Sequence, residues 1–135
     1  MKALGRHLVA DFFECSGDLN SPDMIMKALE KACTVSGATI ISKTGHHFSP
    51  YGVTAVVIIA ESHLAIHTWP EFKYAAVDVF TCGTTVDSQA AFLSLKDDFG
   101  SDRVELQEIH RGILTDEDLL KVTHGPKPME VDCGV

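Results

Sequence analysis

The sequence predicts an α+β protein, a two-layer α/β sandwich with one mainly antiparallel sheet and two helices on one of its faces. Three observations predict it. The run from Val53 to about Glu61 is apolar almost throughout, as expected of a strand buried on both sides. Two segments carry helical periodicity between recognisable caps. The extended stretches around them give the order β-α-β-β-β-α-β, which fits one sheet with helices on a single face. The other face then needs a cover. A second copy of the chain is the economical one, so the fold is expected to dimerise.

The first expected strand is Arg6 to Cys15, where Leu8, Ala10 and Phe12 alternate with Val9, Asp11 and Phe13. Ser16 to Asn20 is a loop. Ser21-Pro22 opens a helix, with Ser21 as N-cap and proline at the first helical position. Ile25, Ala28, Leu29, Ala32 and Cys33 follow at helical spacing, and Ser36-Gly37 ends it. Cys33 therefore faces the core. Ala38 to Ser42 is the second strand, and Lys43 to Gly52 is a polar connection. Val53 to about Glu61 is the third strand and Tyr74 to Thr81 the fourth. Asp87 caps a helix that runs to Phe99, with Phe92, Leu95 and Phe99 on one side and Gly100 as its stop. Val104 to Ile109 is the fifth strand. Residues 1–112 form a single domain, and 113–135 are a weakly structured C-terminal tail.

At 135 residues the chain fits one domain. Its 45% hydrophobic and 22% charged residues are ordinary for a globular protein. A net charge of −8 argues against nucleic acid, whose phosphates need clustered Lys and Arg. No apolar stretch reaches the roughly 18–20 residues of a membrane span. The N-terminus lacks the pattern of a signal peptide, so the expected location is cytoplasmic. Cys15, Cys33, Cys82 and Cys133 form no CxxC pair, and free thiols are expected.

The stretch that concentrates chemistry is Ala60 to Glu71. It follows the apolar strand and holds two carboxylates, a serine, two imidazoles and the only tryptophan. Four readings compete for it. His46, His47, His63 and His67 are possible metal ligands, although only His63 and His67 have an i, i+4 spacing, and on extended chain. Ser62 is a possible hydrolase nucleophile, but it lacks a Gly-x-Ser-x-Gly elbow. A ligand-binding domain with these residues packed and hydrogen-bonded is the third. The fourth is self-processing. Ser62 Oγ attacks the Glu61 carbonyl, loss of the Ser62 α-proton expels the Glu61 carboxylate, and hydrolysis of the dehydroalanine leaves a pyruvoyl group. That chemistry needs a strained or exposed peptide bond, an oxyanion donor and a base.

Glu61-Ser62-His63-Leu64-x-Ile66-His67-Thr68-Trp69-Pro70-Glu71, followed by Tyr74 to Gly83, resembles the prokaryotic S-adenosylmethionine decarboxylase family. So do Gly5-Arg6-His7-Leu8-Val9-Ala10, Phe12-Phe13-Glu14-Cys15, Ser36-Gly37-Ala38-Thr39-Ile40 and Phe48-x-Pro50-Tyr51-Gly52-Val53. The similarity spans roughly residues 3 to 112. The resemblance implies a pyruvoyl-dependent carboxy-lyase without pyridoxal phosphate or metal. It implies cleavage between Glu61 and Ser62, conversion of Ser62 to the pyruvoyl group and formation of a Schiff base with S-adenosylmethionine. The product would be decarboxylated S-adenosylmethionine, the aminopropyl donor for spermidine.

The resemblance also implies roles. His67 assists processing by removing the Ser62 α-proton, and Cys82 donates a proton to the substrate carbon after CO2 loss. Phe13 and Phe48 sandwich the adenine, and Glu71 holds the ribose hydroxyls. Thr54 stands where close family members carry a processing serine. It keeps the hydroxyl but restricts χ1, so slower processing is expected. Glu14 is a weaker site candidate, and His63 and Trp69 belong to the site wall or the core. An arginine or ornithine decarboxylase of the same family, or an unprocessed nucleoside-binding domain, would share much of this pattern.

Spacing adds one expectation. Thr54 and Ser62 are about 26 Å apart on one extended strand, and Ser62 and His67 about 16 Å apart. Either the chain doubles back or the groups meet across a two-fold axis. The second option puts Ser62 and Cys82 in one subunit and Thr54, His67, Phe48 and Glu71 in its neighbour, as a homodimer with shared sites.

Overall fold

A computed structural model describes residues 2–121 and 128–131. Among these, seven strands form one sheet: β1 (Lys2–Cys15), β2 (Thr39–His47), β3 (Val53–Ala60), β4 (Ser62–Trp69), β5 (Tyr74–Cys82), β6 (Ser101–Leu114) and β7 (Met129–Glu130). Their spatial order is β2-β3-β4-β5-β1-β6, with β7 also beside β1. Every pairing is antiparallel. The helices are α1 (Pro22–Ser36), α2 (Ser88–Phe99) and the single turn α3 (Asp116–Leu119). None of the described helices is long and apolar enough to cross a membrane.

The two long helices form where their caps place them. Ser21 Oγ accepts the Met24 N–H at 3.2 Å, and Gly37 closes α1 at φ 79°. Asp87 accepts the Ala90 N–H at 3.1 Å, and Gly100 closes α2 at φ 58°. Both helices pack on the same sheet face. Ile25 and Leu29 of α1, and Leu95 and Phe99 of α2, meet Leu8, Phe12, Val57, Ile66 and Val79 in one buried cluster. Burial of each such side chain contributes about 1.5–3 kcal/mol. Cys33 lies fully buried in that cluster, as its helical phase requires. Neither long helix covers the opposite sheet face. Ile58 and Trp69 stand on it 48% and 41% exposed.

Several element bounds differ from expectation. The fold has one more central strand than the order β-α-β-β-β-α-β allows. Ser62–Trp69 is β4, a hairpin partner of β3. Its Leu64, Ile66 and Thr68 are buried and alternate with His63, Ala65 and His67. That is an ordinary half-buried strand, but its polar face is made of reactive residues and so reads as a site. The chain therefore doubles back at Glu61.

β2 runs to His47, where a connection was expected from Lys43 onward. As the sheet's edge it is exposed along its length, so it needs no apolar alternation. Lys43 on this strand pairs with Glu30 of α1. β1 begins at Lys2 rather than Arg6, and β6 spans 14 residues rather than Val104–Ile109. In the tail, Thr115 and Asp118 make a reciprocal capping box on α3, and Met129–Glu130 pairs with Lys2 and Ala3. Gly125, Lys127 and Cys133 lie outside the described residues.

Candidate active site

The β3–β4 turn puts Ser62 at the start of β4, opposite Thr81, and next to the end of β5. Its hydroxyl lies 2.9 Å from the Cys82 Sγ. Ser62 has φ 135°, a region that side chains disfavour. Holding a non-glycine residue there costs on the order of 1–3 kcal/mol. The conformation turns the hydroxyl to the thiol rather than leaving it in the alternation of Leu64 and Ile66. Serine and cysteine are twenty residues apart in sequence, and the β4–β5 register joins them. The strained residue is the one whose peptide bond with Glu61 the self-processing chemistry would break.

A second polar pair sits at the other end of the same hairpin. Thr54 is the cross-strand partner of His67, and Thr54 Oγ1 lies 3.0 Å from His67 Nδ1. The doubling-back does not unite the two pairs, since Ser62 faces Ile59 across the hairpin and Thr54 faces His67. Ser62 and His67 remain about 16 Å apart along β4.

Around Thr54 and His67 the open face carries aromatics. His46 packs edge-on to Phe48 at 4.6 Å, and Phe48 is 48% exposed. Trp69, Tyr74 and Phe13 form a row across β4, β5 and β1, with centroids 5.3 and 5.1 Å apart. The Arg103 guanidinium of β6 completes the row, 4.1 Å from the Phe13 centroid. Phe13 thus belongs to the Thr54–His67 end. It lies about 26 Å along β1 from Gly5, the partner of Cys82. Glu71 is exposed on the 3-10 turn Pro70–Phe72, directly after Trp69. Glu14, also exposed, has φ 54° at the end of β1.

Tyr74 and Arg103 were not singled out from the sequence. Alternation on β5 and β6 puts both on the open face, and that is the signal that could have found them. The Tyr74 hydroxyl donates to Asp11 Oδ1. Burial, helped by that bond and by the Asp11 charge, pushes the phenol up to about 12. His7 was also not singled out, whereas His63 was expected in the site wall or the core. They pack on Phe80 at 5.3 and 5.7 Å, and Phe80 is two residues before Cys82.

The four histidines considered for a metal go to different partners. His47 bonds Asn20 and His67 bonds Thr54, while His46 and His63 lie against phenylalanines. Among the described residues no group of three or more His, Cys, Asp or Glu is placed to hold a metal ion. Ser62 meets a thiol rather than an imidazole, so no serine–histidine relay forms within one chain.

Two strands thus present a strained serine beside a thiol, and the same sheet face presents a hydroxyl–imidazole pair within an aromatic patch. This arrangement fits the self-processing chemistry expected of an enzyme that makes its own reactive group. Residues 6–112 match the family described as S-adenosylmethionine decarboxylase. The S-adenosylmethionine decarboxylase proenzyme of Thermotoga maritima is 52% identical over 113 residues, covering 83% of this chain and 87% of the relative. The proenzyme of Acidithiobacillus ferrooxidans is 50% identical over 113 residues, covering 83% and 85%. The crystal structure of the adenosylmethionine decarboxylase from Aquifex aeolicus superposes with a TM-score of 0.81 at 36% identity, covering 86% of this chain and 97% of that one. The chain belongs to the S-adenosylmethionine decarboxylase family.

Proposed function

We propose that this chain is a self-processing S-adenosylmethionine decarboxylase whose active site is assembled from two copies. The observation that carries the reading is Ser62, held at φ 135° with its hydroxyl 2.9 Å from the Cys82 thiol. The residues fit a pyruvoyl group made at this position. Ser62 heads a strand, so the new N-terminus stays anchored by β-ladder bonds to β5. The strained backbone favours rearrangement at Glu61–Ser62.

In processing, Ser62 Oγ adds to the Glu61 carbonyl carbon, and the Ser62 nitrogen departs to give an ester. A base then takes the Ser62 α-proton and the Glu61 carboxylate leaves. The resulting dehydroalanine hydrolyses with release of ammonia. The base and the hydroxyl that steadies the oxyanion are the partner's His67 and the partner's Thr54. In one chain these groups stand too far from Ser62 to act. The pyruvoyl carbonyl, once formed, supplies the electron sink for loss of CO2.

The remaining residues bind and move protons. Cys82 Sγ–H delivers a proton to the carbon that has lost CO2. Phe48 and the row containing Phe13 offer aromatic faces to an adenine and to a sulfonium cation. Glu71 accepts from ribose hydroxyls. Arginine and ornithine have no such ring to place. The product is decarboxylated S-adenosylmethionine, as spermidine synthesis requires, and free cysteines, Cys82 of the site among them, suit the cytoplasm.

A denaturing intact-mass spectrum tests the processing. It should show fragments of residues 1–61 and 62–135, the second carrying a pyruvoyl terminus. A chain that stays whole on long incubation would sink the reading. The shared site is tested by co-expressing Ser62→Ala and His67→Ala proteins, each inactive alone. Cleaved chains should reappear in the mixed dimers, and verified mixed dimers without cleavage would count against sharing. Carbon dioxide release from a panel of S-adenosylmethionine, arginine and ornithine decides the substrate.

A further inference from the structure

The tail strand β7 lies outside the residues that match the family, yet it is built against the catalytic end of the sheet. β5 and β7 both run antiparallel to β1. The last β5 pair is Gly5↔Cys82, and the β7 pairs are Ala3↔Met129 and Lys2↔Glu130. β7 therefore continues the lane of β5, in the same direction, just past the thiol. Met129 lies two positions beyond Cys82, about 7 Å along the lane.

Alternation puts Met129 on the face of Cys82. Gly5 and Ala3 share that face, where a Cβ on Gly5 would meet the Phe80 ring at 2.9 Å. Met129 is only 5% exposed and its partner Ala3 fully buried, although β7 is two residues long. Lys2 and Glu130 pin the strand with an ion pair at 2.5 Å. A short strand with a buried apolar side chain is docked, and what it docks beside is the end of β5 that carries Cys82.

We propose that Met129 is a positioning residue, covering the tail side of the Cys82 thiol and keeping water from the group that must deliver its proton to a single carbon. The proposal rests on the reading of Ser62 and Cys82 as the catalytic end. An unbranched thioether suits the role, because it packs into irregular space without offering a competing proton.

The test is alkylation of the full-length protein by iodoacetamide under native conditions, followed peptide by peptide in the mass spectrometer. Met129→Ser, and a chain ending at Lys121, should raise the Cys82 rate at least about threefold, since exposure governs thiol reactivity. The buried Cys15 and Cys33 should stay protected, and Met129→Leu should restore the slow rate. In turnover, Met129→Ser should lower kcat and leave KM unchanged. Unchanged Cys82 alkylation in both variants would overturn the proposal. So would an equal rise at Cys33, which would make β7 a support of the whole fold rather than of the site. Alkylation needs neither cleavage nor turnover, so failure of the decarboxylase reading would show separately, as an uncleaved chain in the same spectra.

Discussion

At the scale of single residues, Thr54 bears on the rate of processing and Cys33 on the pH dependence of stability. Thr54 Oγ1 is already on His67 Nδ1 at 3.0 Å, so the hydroxyl is positioned and only its rotamer freedom is limited. Thr54→Ser should keep the bond and speed cleavage a few-fold. Thr54→Val keeps the shape and removes the oxygen, and cleavage should fall on the order of 10²-fold, the usual loss for one oxyanion donor. A time course of the two fragments on a denaturing gel measures both, and equal rates for all three proteins would remove Thr54 from processing. Cys33 reports on the core. Burial first, then the Glu30 charge, pushes its thiol from 9.0 up to about 11. The folded thiol resists ionisation while the unfolded one ionises near its ordinary value. Its stabilising effect is therefore complete below about pH 9 and is lost as pH rises through 11. Thermal melts should show Tm falling across that window, and Cys33→Ala should flatten this part of the profile.

At the scale of elements, the two long helices brace the sheet from behind, with their buried side chains in the core cluster. Leu95 of α2 is fully buried in the cluster that also holds Phe99 and Leu29. Leu95→Ala should cost about 2–5 kcal/mol and lower Tm accordingly. The folded fraction should still cleave at Glu61–Ser62, which separates stability from chemistry in one variant. The same division explains what was legible in the sequence. Ser21-Pro22, Asp87, Gly37 and Gly100 are local signals, and α1 and α2 ended where they predict. β4 was missed because its solvent-side alternation consists of His63 and His67, chemistry that masks period two. β2 and β6 ran longer than expected because edge strands gain their length from ladder bonds, not from apolar content. The candidate site residues were named through motif resemblance. Their grouping into two ends was not, since it depends on the register Thr54↔His67 and Ser62↔Thr81. Tyr74 and Arg103 join the aromatic row only through neighbouring strands, a relation that no local window contains.

At the scale of the whole molecule, the sheet carries the Ser62–Cys82 and Thr54–His67 pairs on one face, at opposite ends of the β3–β4 hairpin. A two-fold axis through that face would lay the Ser62–Cys82 end of one copy over the Thr54–His67 end of the other, twice. The exposed Ile58, Phe48 and Trp69 would be covered in the same step, which accounts for apolar side chains left bare on a sheet. Processing, in this arrangement, cannot precede association. Ile58 tests that order, because it stands 48% exposed between the two ends and bonds to neither pair. Ile58→Lys places an ammonium where two copies would meet, and its desolvation should block pairing. The expected protein sediments as a monomer, keeps the circular dichroism of the folded sheet, and remains uncleaved at 135 residues. High salt should not rescue it, since the penalty is burial rather than repulsion at long range. A monomeric Ile58→Lys chain that still cleaves itself would put the whole processing site inside one copy, and Thr54 and His67 would then need another role.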